Sequence, residues 1–232
     1  MPTVIDRATW PRRHHLAFFE TFEQPHFCIT SEVDVTRLVA RMRAVGQRPF
    51  PAMLYATTRA SNAEAALRLR LRWTDAEAPA ELVLHDVIHP SFTAKVHLPE
   101  AHATAPGCDL PLFGYATARY TSDFGTFAQN VAAAAASVQA DPDLEAHAAL
   151  DTDDLLFVSS LPWMSYTSVS HAMMVPKRDC TPRVMWGRFV ERGDRTIVST
   201  SLQVHHGLAD GGHVARWFRR LTQLVEQPDW LG

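Results

Sequence analysis

A chain of 232 residues, 47% hydrophobic, can bury a substantial core as one domain or two closely packed ones. Its formal net charge of −3 offers no basic field to nucleic acid. No apolar run approaches the ~20 residues that span a bilayer, and the start, Met-Pro-Thr-Val-Ile-Asp-Arg, lacks a signal-peptide profile, so a cytoplasmic protein is expected.

Thr9-Trp10-Pro11-Arg12 has the form of a helix start, with Thr9 as cap and proline near the first turn. It predicts a helix to about Phe22, presenting Trp10, Ala17, Phe18 and Phe22. Residues 27–35 alternate as a strand. Leu38, Val39, Met42 and Val45 recur at helical spacing, and a second helix follows over 51–62. Residues 67–73 alternate strictly between leucine or tryptophan and arginine, a strand with one apolar and one basic face. Arginines on such a face are more often solvated or paired with acids than bound to nucleic acid, and no aromatic interleaving offers a base-stacking surface. Short strands are expected at 82–84 and 91–96, and residues 98–112 dissolve into Pro, Gly, Ala and Asp, a long loop. Residues 123–140 form an alanine-rich helix and 155–161 a strand. Residues 184–190 and 196–205 form a hairpin around Glu191-Arg192-Gly193-Asp194. Neither repeat nor linker divides the chain. The expectation is a single α/β domain over residues 1–232, a large sheet with helices laid on it.

Cys28, Cys108 and Cys180 are widely spaced and odd in number, and read as reduced thiols rather than a disulfide framework or a zinc site. Twelve histidines raise the metal question, but there is no H-E-x-x-H and no paired C-x-x-C. The adjacent pairs His14-His15 and His205-His206 point in different directions on a helix or a strand, so no metal is expected.

The most informative stretch is Gln203-Val204-His205-His206-Gly207-Leu208-Ala209-Asp210-Gly211-Gly212-His213. A β-rich segment precedes it. Val214, Phe218, Leu221 and Val225 follow at helical spacing, with Arg216, Arg219 and Arg220 turned elsewhere. Two histidines therefore sit where a strand ends and a helix begins, a corner that rigid elements hold from both sides. Histidine suits catalysis there because it exchanges a proton near neutral pH. A plainer reading makes Asp210 an N-cap, the glycines an easy turn, and the histidines ordinary strand-end residues.

The spacing from His206 to Asp210-Gly211, H-x-x-x-D-G, resembles the signature of the CoA-dependent acyltransferases that include chloramphenicol acetyltransferase and the lipoamide acyltransferases. Further segments resemble chloramphenicol acetyltransferase in the right order. Trp10-Pro11-Arg12-Arg13-His14-His15-Leu16-Ala17-Phe18-Phe19 is similar to W-x-R-x-x-H-F-x-x-F, and Phe50-Pro51-Ala52-Met53-Leu54-Tyr55 to F-Y-P-x-x-x. The run from Leu84 through His85-Asp86-Val87-Ile88-His89-Pro90-Ser91-Phe92-Thr93 is similar to W-D-S-V-x-P-x-F-T. Val158-Ser159-Ser160-Leu161-Pro162-Trp163 is similar to S-A-L-P-W, and the closing block matches Q-V-H-H-x-x-x-D-G-x-H-V-x-R almost throughout. The similarity covers nearly the whole chain. It implies a two-layer α/β sandwich, a mixed sheet with helices packed on it, assembled as a homotrimer with active sites between subunits.

The resemblance further implies acetyl transfer from acetyl-CoA, as co-substrate, to a hydroxyl of a small-molecule acceptor, with chloramphenicol inactivation as the favoured reading. His206 matches the general base and Ser159 the oxyanion donor, while Asp210 and Arg12 match a pair that supports the corner. Trp163, Arg188 and Phe189 fall on the coenzyme path, Arg188 where the family carries a lysine. Phe18, Phe19, Phe27, Phe113, Phe157, Val169 and His171 fall at or near the acceptor pocket, although phenylalanines at such spacings also serve as plain core. Val169 and His171 replace a phenylalanine and a leucine of the family, and Met185 a threonine that holds water near the reacting centre. The 98–112 loop looks longer than in typical members. Two other functions compete. One is a same-fold acyltransferase acting on another hydroxyl or amine in metabolite biosynthesis. The other is a non-catalytic ligand-binding trimer, disfavoured by the joint presence of His206, Ser159, Asp210 and Arg12. No partner among nucleic acids or membranes is expected.

Overall fold

The computed structural model describes residues 2–73, 79–97, 110, 112–140 and 152–232. In chain order the strands are β1 Thr3–Ile5, β2 His26–Asp34, β3 Leu69–Arg72, β4 Glu81–Leu84, β5 His89–Val96, β6 Leu112–Thr117, β7 Leu155–Ser160, β8 Arg183–Arg192 and β9 Arg195–His205. The helices are α1 Arg13–Phe19, α2 Thr36–Val45, α3 Pro49–Asn62, α4 Ala65–Arg68, α5 Phe124–Ala140 and α6 Gly211–Glu226. Six strands form one mixed sheet in the order β2-β9-β8-β7-β5-β6, parallel only at β5–β7 and β7–β8. A separate three-stranded antiparallel sheet runs β1-β4-β3. No helix among the described residues is long and apolar enough to cross a membrane.

Side chains alternate across the large sheet, so register sorts them into two faces. One face carries Leu156, Val158, Val184, Trp186, Val198, Leu202 and Val204, all buried. Against it pack Leu38 and Met42 of α2, the apolar side of α3, Phe127 and Val131 of α5, and Val214, Trp217, Leu221 and Val225 of α6. Burying each large apolar side chain contributes about 1.5–3 kcal/mol, and this layer is the core. The other face carries Phe157, Ser159, Arg183, Met185, Ser201, Gln203 and Cys28. It is crossed by residues 161–182. Tyr166 Oη donates to Met185 O at 2.6 Å and lies 3.1 Å from Ser201 Oγ, Ser165 Oγ lies 3.1 Å from Ser199 Oγ, and Gln203 Nε2 lies 3.4 Å from Met173 Sδ.

Local reading and structure part company in four places. The first helix spans only Arg13–Phe19, because Thr9 closes a turn onto Asp6 instead of capping a helix. Residues 67–73 split into the end of α4 and β3, and their basic face is only partly solvated, because Arg70 is enclosed. Arg70 is only 1% exposed and gives its guanidinium to the carbonyls of Leu67, Leu69, Asp153 and Leu155, while Arg68 donates to His85 O and Arg72 alone makes the bidentate acid pair, with Asp153. On α6 the buried aromatic is Trp217, with its indole N–H on Ser61 Oγ at 2.9 Å, and Phe218 is only partly covered. No local pattern marks β1 or β6, and most of the predicted 98–112 loop lies outside the described residues. The hairpin turns at Gly193-Asp194, with Arg192 facing Arg195 and Gly193 at φ +61°, a left-handed value that favours glycine. Cys28 and Cys180 are free thiols, and Cys108 lies outside the described residues.

Candidate active site

The corner between β9 and α6 is tight. Leu208 and Ala209 both donate their backbone N–H to His205 O at 3.0 Å, and His206 N–H donates to Pro25 O at 2.7 Å. A Cβ at position 207 would stand 3.0 Å from both His205 Cε1 and Leu16 Cδ1, so glycine lets β9 and α1 approach. Asp210 then caps α6, accepting from Gly212 N at 3.0 Å and His213 N at 3.3 Å.

The two histidines part at this corner. His205 continues the strand onto the polar face, where its Nδ1 accepts from Gly207 N–H and its ring meets His26 edge-on. Burial, with help from His26, drives its pKa down to about 3, so it is neutral at physiological pH. His206 instead lies flat on Phe19, centroids 4.1 Å apart and planes 8° from parallel, and tilts against Phe27 at 4.5 Å. Its Nδ1 is buried without a hydrogen-bond partner among the described residues. Nε2 is therefore the nitrogen able to meet an incoming proton.

Asp210 serves the corner. Its Oδ2 accepts from Arg12 Nη1 at 2.7 Å and its Oδ1 lies 2.7 Å from His213 Nδ1. Partial burial pushes its pKa up, but the bonds from Arg12 and His213 outweigh this and hold the carboxyl well below the usual carboxylate range. The pair is more open than a buried ion pair, with Asp210 40% and Arg12 21% exposed, so solvent weakens what it adds to stability.

Ser159 sits elsewhere. It faces Met185 across β7–β8, and Met185 faces Ser201 across β8–β9. At ~4.8 Å per strand and ~3.3 Å per residue, two strand spacings and the run from Ser201 to His206 put Ser159 about 19 Å from His206. Within one chain they do not share a reacting centre. Each gathers its own neighbours. Against His206 stand Phe19 and Phe27, with Phe18 exposed beside Phe19 at 5.2 Å, and the Arg12–Asp210 pair closes the same corner at the start of α6.

On the Ser159 side Phe157 lies under the guanidinium of Arg183 at 5.1 Å, and Arg183 pairs with Asp179. Val169 and His171 are half-buried in the covering segment. Burial, reinforced by Arg183, lowers the pKa of His171, and its Nε2 is buried with no partner among the described residues. Trp163 is 61% exposed with Lys95 Nζ over its ring at 5.4 Å, and exposed Arg188 donates its backbone N–H to Met164 O at 2.8 Å. Phe189 packs on the helical core after a bulge in β8, and Phe113 is exposed on β6 beside Tyr115 at 5.7 Å. Lys95 and Tyr166 are among the polar groups on this side that the sequence does not single out. Lys95 follows Thr93 by two residues in β5, so alternation could have marked its face, but not its contact with Trp163.

The family model described as chloramphenicol acetyltransferase matches residues 2–222. The chain is 30% identical over 230 residues to a chloramphenicol acetyltransferase of Streptomyces acrimycini, covering 99% of this chain and 97% of that one. It is also 30% identical over 224 residues to chloramphenicol acetyltransferase 2 of Escherichia coli, covering 97% of each. A solved chloramphenicol acetyltransferase superposes with a TM-score of 0.82 at 27% identity over 97% of this chain and all of that one. A dihydrolipoamide acetyltransferase of Azotobacter vinelandii shares the fold, with a TM-score of 0.63 at 17% identity over 93% of this chain and 86% of that one.

Proposed function

The chain belongs to the chloramphenicol acetyltransferase family and is an acetyltransferase, and from that premise we propose that it transfers an acetyl group from acetyl-CoA to a hydroxyl of chloramphenicol in a ternary complex, with His206 as general base. The observation that carries the assignment is the His206 imidazole, lying flat on Phe19 and tilted against Phe27, with Nδ1 buried. In this reading Nε2 takes the proton from the acceptor hydroxyl as its oxygen attacks the thioester carbon. Ser159 Oγ–H donates to the tetrahedral oxyanion. Collapse expels the CoA thiolate, which receives the proton from His206, and no covalent bond to the enzyme forms. Trp163, Arg188 and Phe189 line the coenzyme path, with the Arg188 guanidinium meeting phosphate. Phe18, Phe19, Phe27, Phe113, Phe157, Val169 and His171 line the acceptor site. Such an enzyme works where acetyl-CoA is made, in the cytoplasm.

The separation of about 19 Å between Ser159 and His206 supports a homotrimer in which each site takes His206 from one subunit and Ser159 from its neighbour. Complementation of two inactive variants tests this. His206→Ala and Ser159→Ala, each assayed alone by CoA thiol release with chloramphenicol, should fall by ~10²-fold or more. Refolding them together should restore activity, because some interfaces then pair an intact His206 with an intact Ser159. Mixed protein no more active than either parent would refute the shared site.

A specific observation favours a second acceptor, another hydroxyl or amine. Among the described residues His171 Nε2 is buried without a hydrogen-bond partner, within electrostatic reach of Arg183, and leaving such a group unpaired costs about 1–3 kcal/mol. An acceptor with a polar group there would remove that cost. His171→Leu is expected to change the acceptor KM several-fold and leave the acetyl-CoA KM alone. Equal effects on both constants, or none, would place His171 outside the acceptor pocket.

A further inference from the structure

His213 stands in the first turn of α6 and its ring turns back onto the cap. Its Nδ1 lies 2.7 Å from Asp210 Oδ1 and 3.2 Å from the Asp210 backbone N. A ring nitrogen either donates or accepts, not both at once. The shorter contact, against a carboxylate, is the charge-assisted and stronger one, so the hydrogen belongs on Nδ1 and Asp210 accepts it. The third helical residue of an ordinary capping box is glutamate or glutamine. Glutamate here would set a second negative charge beside Asp210, whereas histidine grips the carboxylate.

That grip is not needed to hold the helix. Asp210 already accepts from two backbone N–H groups. Arg216, one turn further on, makes a bidentate pair with buried Glu64 at 2.9 and 3.0 Å. Val214, Trp217, Leu221 and Val225 bury the apolar side of α6. What the His213 bond adds is a side-chain clamp on the same Oδ1, which tightens the rotation of the Asp210 carboxylate and so the direction of Oδ2 toward Arg12 Nη1. Arg12 is the N-cap residue of α1, and α1 carries Phe19, whose ring lies on His206.

We propose that His213 is a positioning residue for the His206 base, acting through Asp210, Arg12 and Phe19 to set the plane and reach of the catalytic imidazole. The inference rests on His206 being the base. Misplacing a reacting group by ~1 Å costs up to ~10²-fold in rate, and a loosened clamp should cost at least roughly ten-fold.

The test is steady-state kinetics and thermal melting of His213→Ala, His213→Asn, Arg216→Met and His206→Ala, assayed with acetyl-CoA and chloramphenicol. His213→Ala should lose kcat roughly ten-fold or more, with both KM values within about two-fold of wild type and little change in melting temperature. His213→Asn, whose amide N–H can reach the same oxygen, should recover most of kcat. Arg216→Met should do the reverse, melting earlier with kcat kept. Full kcat in His213→Ala beside an inactive His206→Ala would overturn the proposal alone, as would a drop that tracks melting temperature or that asparagine fails to rescue. Turnover retained by His206→Ala would overturn the base assignment instead.

Discussion

Replacing His206 with alanine removes at least ~10²-fold of acetyl transfer and leaves the fold in place. The magnitude follows from the role, since a positioned general base contributes ~10²–10⁴-fold to proton transfer. The survival of the fold follows from the corner's construction. The 2.7 Å bond from His206 N–H to Pro25 O, the turns closed on His205 O and the Asp210 cap involve no atom of the His206 ring. What alanine does lose is the contact with Phe19 and Phe27, so a small drop in melting temperature should accompany the loss of activity. Thiol-release kinetics beside a melting curve measure both. Turnover of a tenth or more of wild type would remove His206 from the chemistry. His205 could not take over, since it points to the other face and burial pushes its pKa down to about 3, which makes it too weak a base.

Arg70→Met, far from the corner, should lower the melting temperature by roughly 10 °C. Arg70 is enclosed, and its guanidinium satisfies the carbonyls of Leu67 and Leu69 beside the carbonyls of Asp153 and Leu155 where β7 begins. Two effects oppose each other. Removing a buried cation recovers its desolvation cost, which is why replacing both partners of a buried ion pair can be neutral. Here the partners are backbone carbonyls, which no substitution can remove. Each left unpaired costs about 1–3 kcal/mol, so losing even two outweighs the gain in a fold stable by about 5–15 kcal/mol. At ~2–4 °C per kcal/mol for a chain of this size the shift is measurable. Arg70→Lys should fall between, because one ammonium cannot reach every carbonyl in the cage. An unchanged melting temperature in Arg70→Met would show that water or neighbouring donors replace the guanidinium.

Elements whose signals are local are legible along the chain. Apolar residues at helical spacing marked α2, alanine-rich composition marked α5, and the Gly193-Asp194 turn marked the β8–β9 hairpin, each close to its observed bounds. The closing block likewise carried its own corner, because Asp210, Gly211 and Gly212 hold cap and turn chemistry within a few residues. Tertiary structure decided everything that depends on distant chain meeting. Strict alternation at 67–73 described a strand with a basic face, but which layer would cover that face depended on Asp153 and Leu155, more than eighty residues away, and they enclosed Arg70. Val214, Phe218, Leu221 and Val225 satisfied helical periodicity, yet the groove above Ser61 took Trp217 as the buried aromatic. The motifs place Ser159 and His206 in one site, and only strand order and register reveal that two strand spacings and the run from Ser201 to His206 separate them in one subunit. Side-chain type and spacing record what a residue can do chemically. Which residue it faces is set by pairings across the sheet, whose register no local stretch of chain contains.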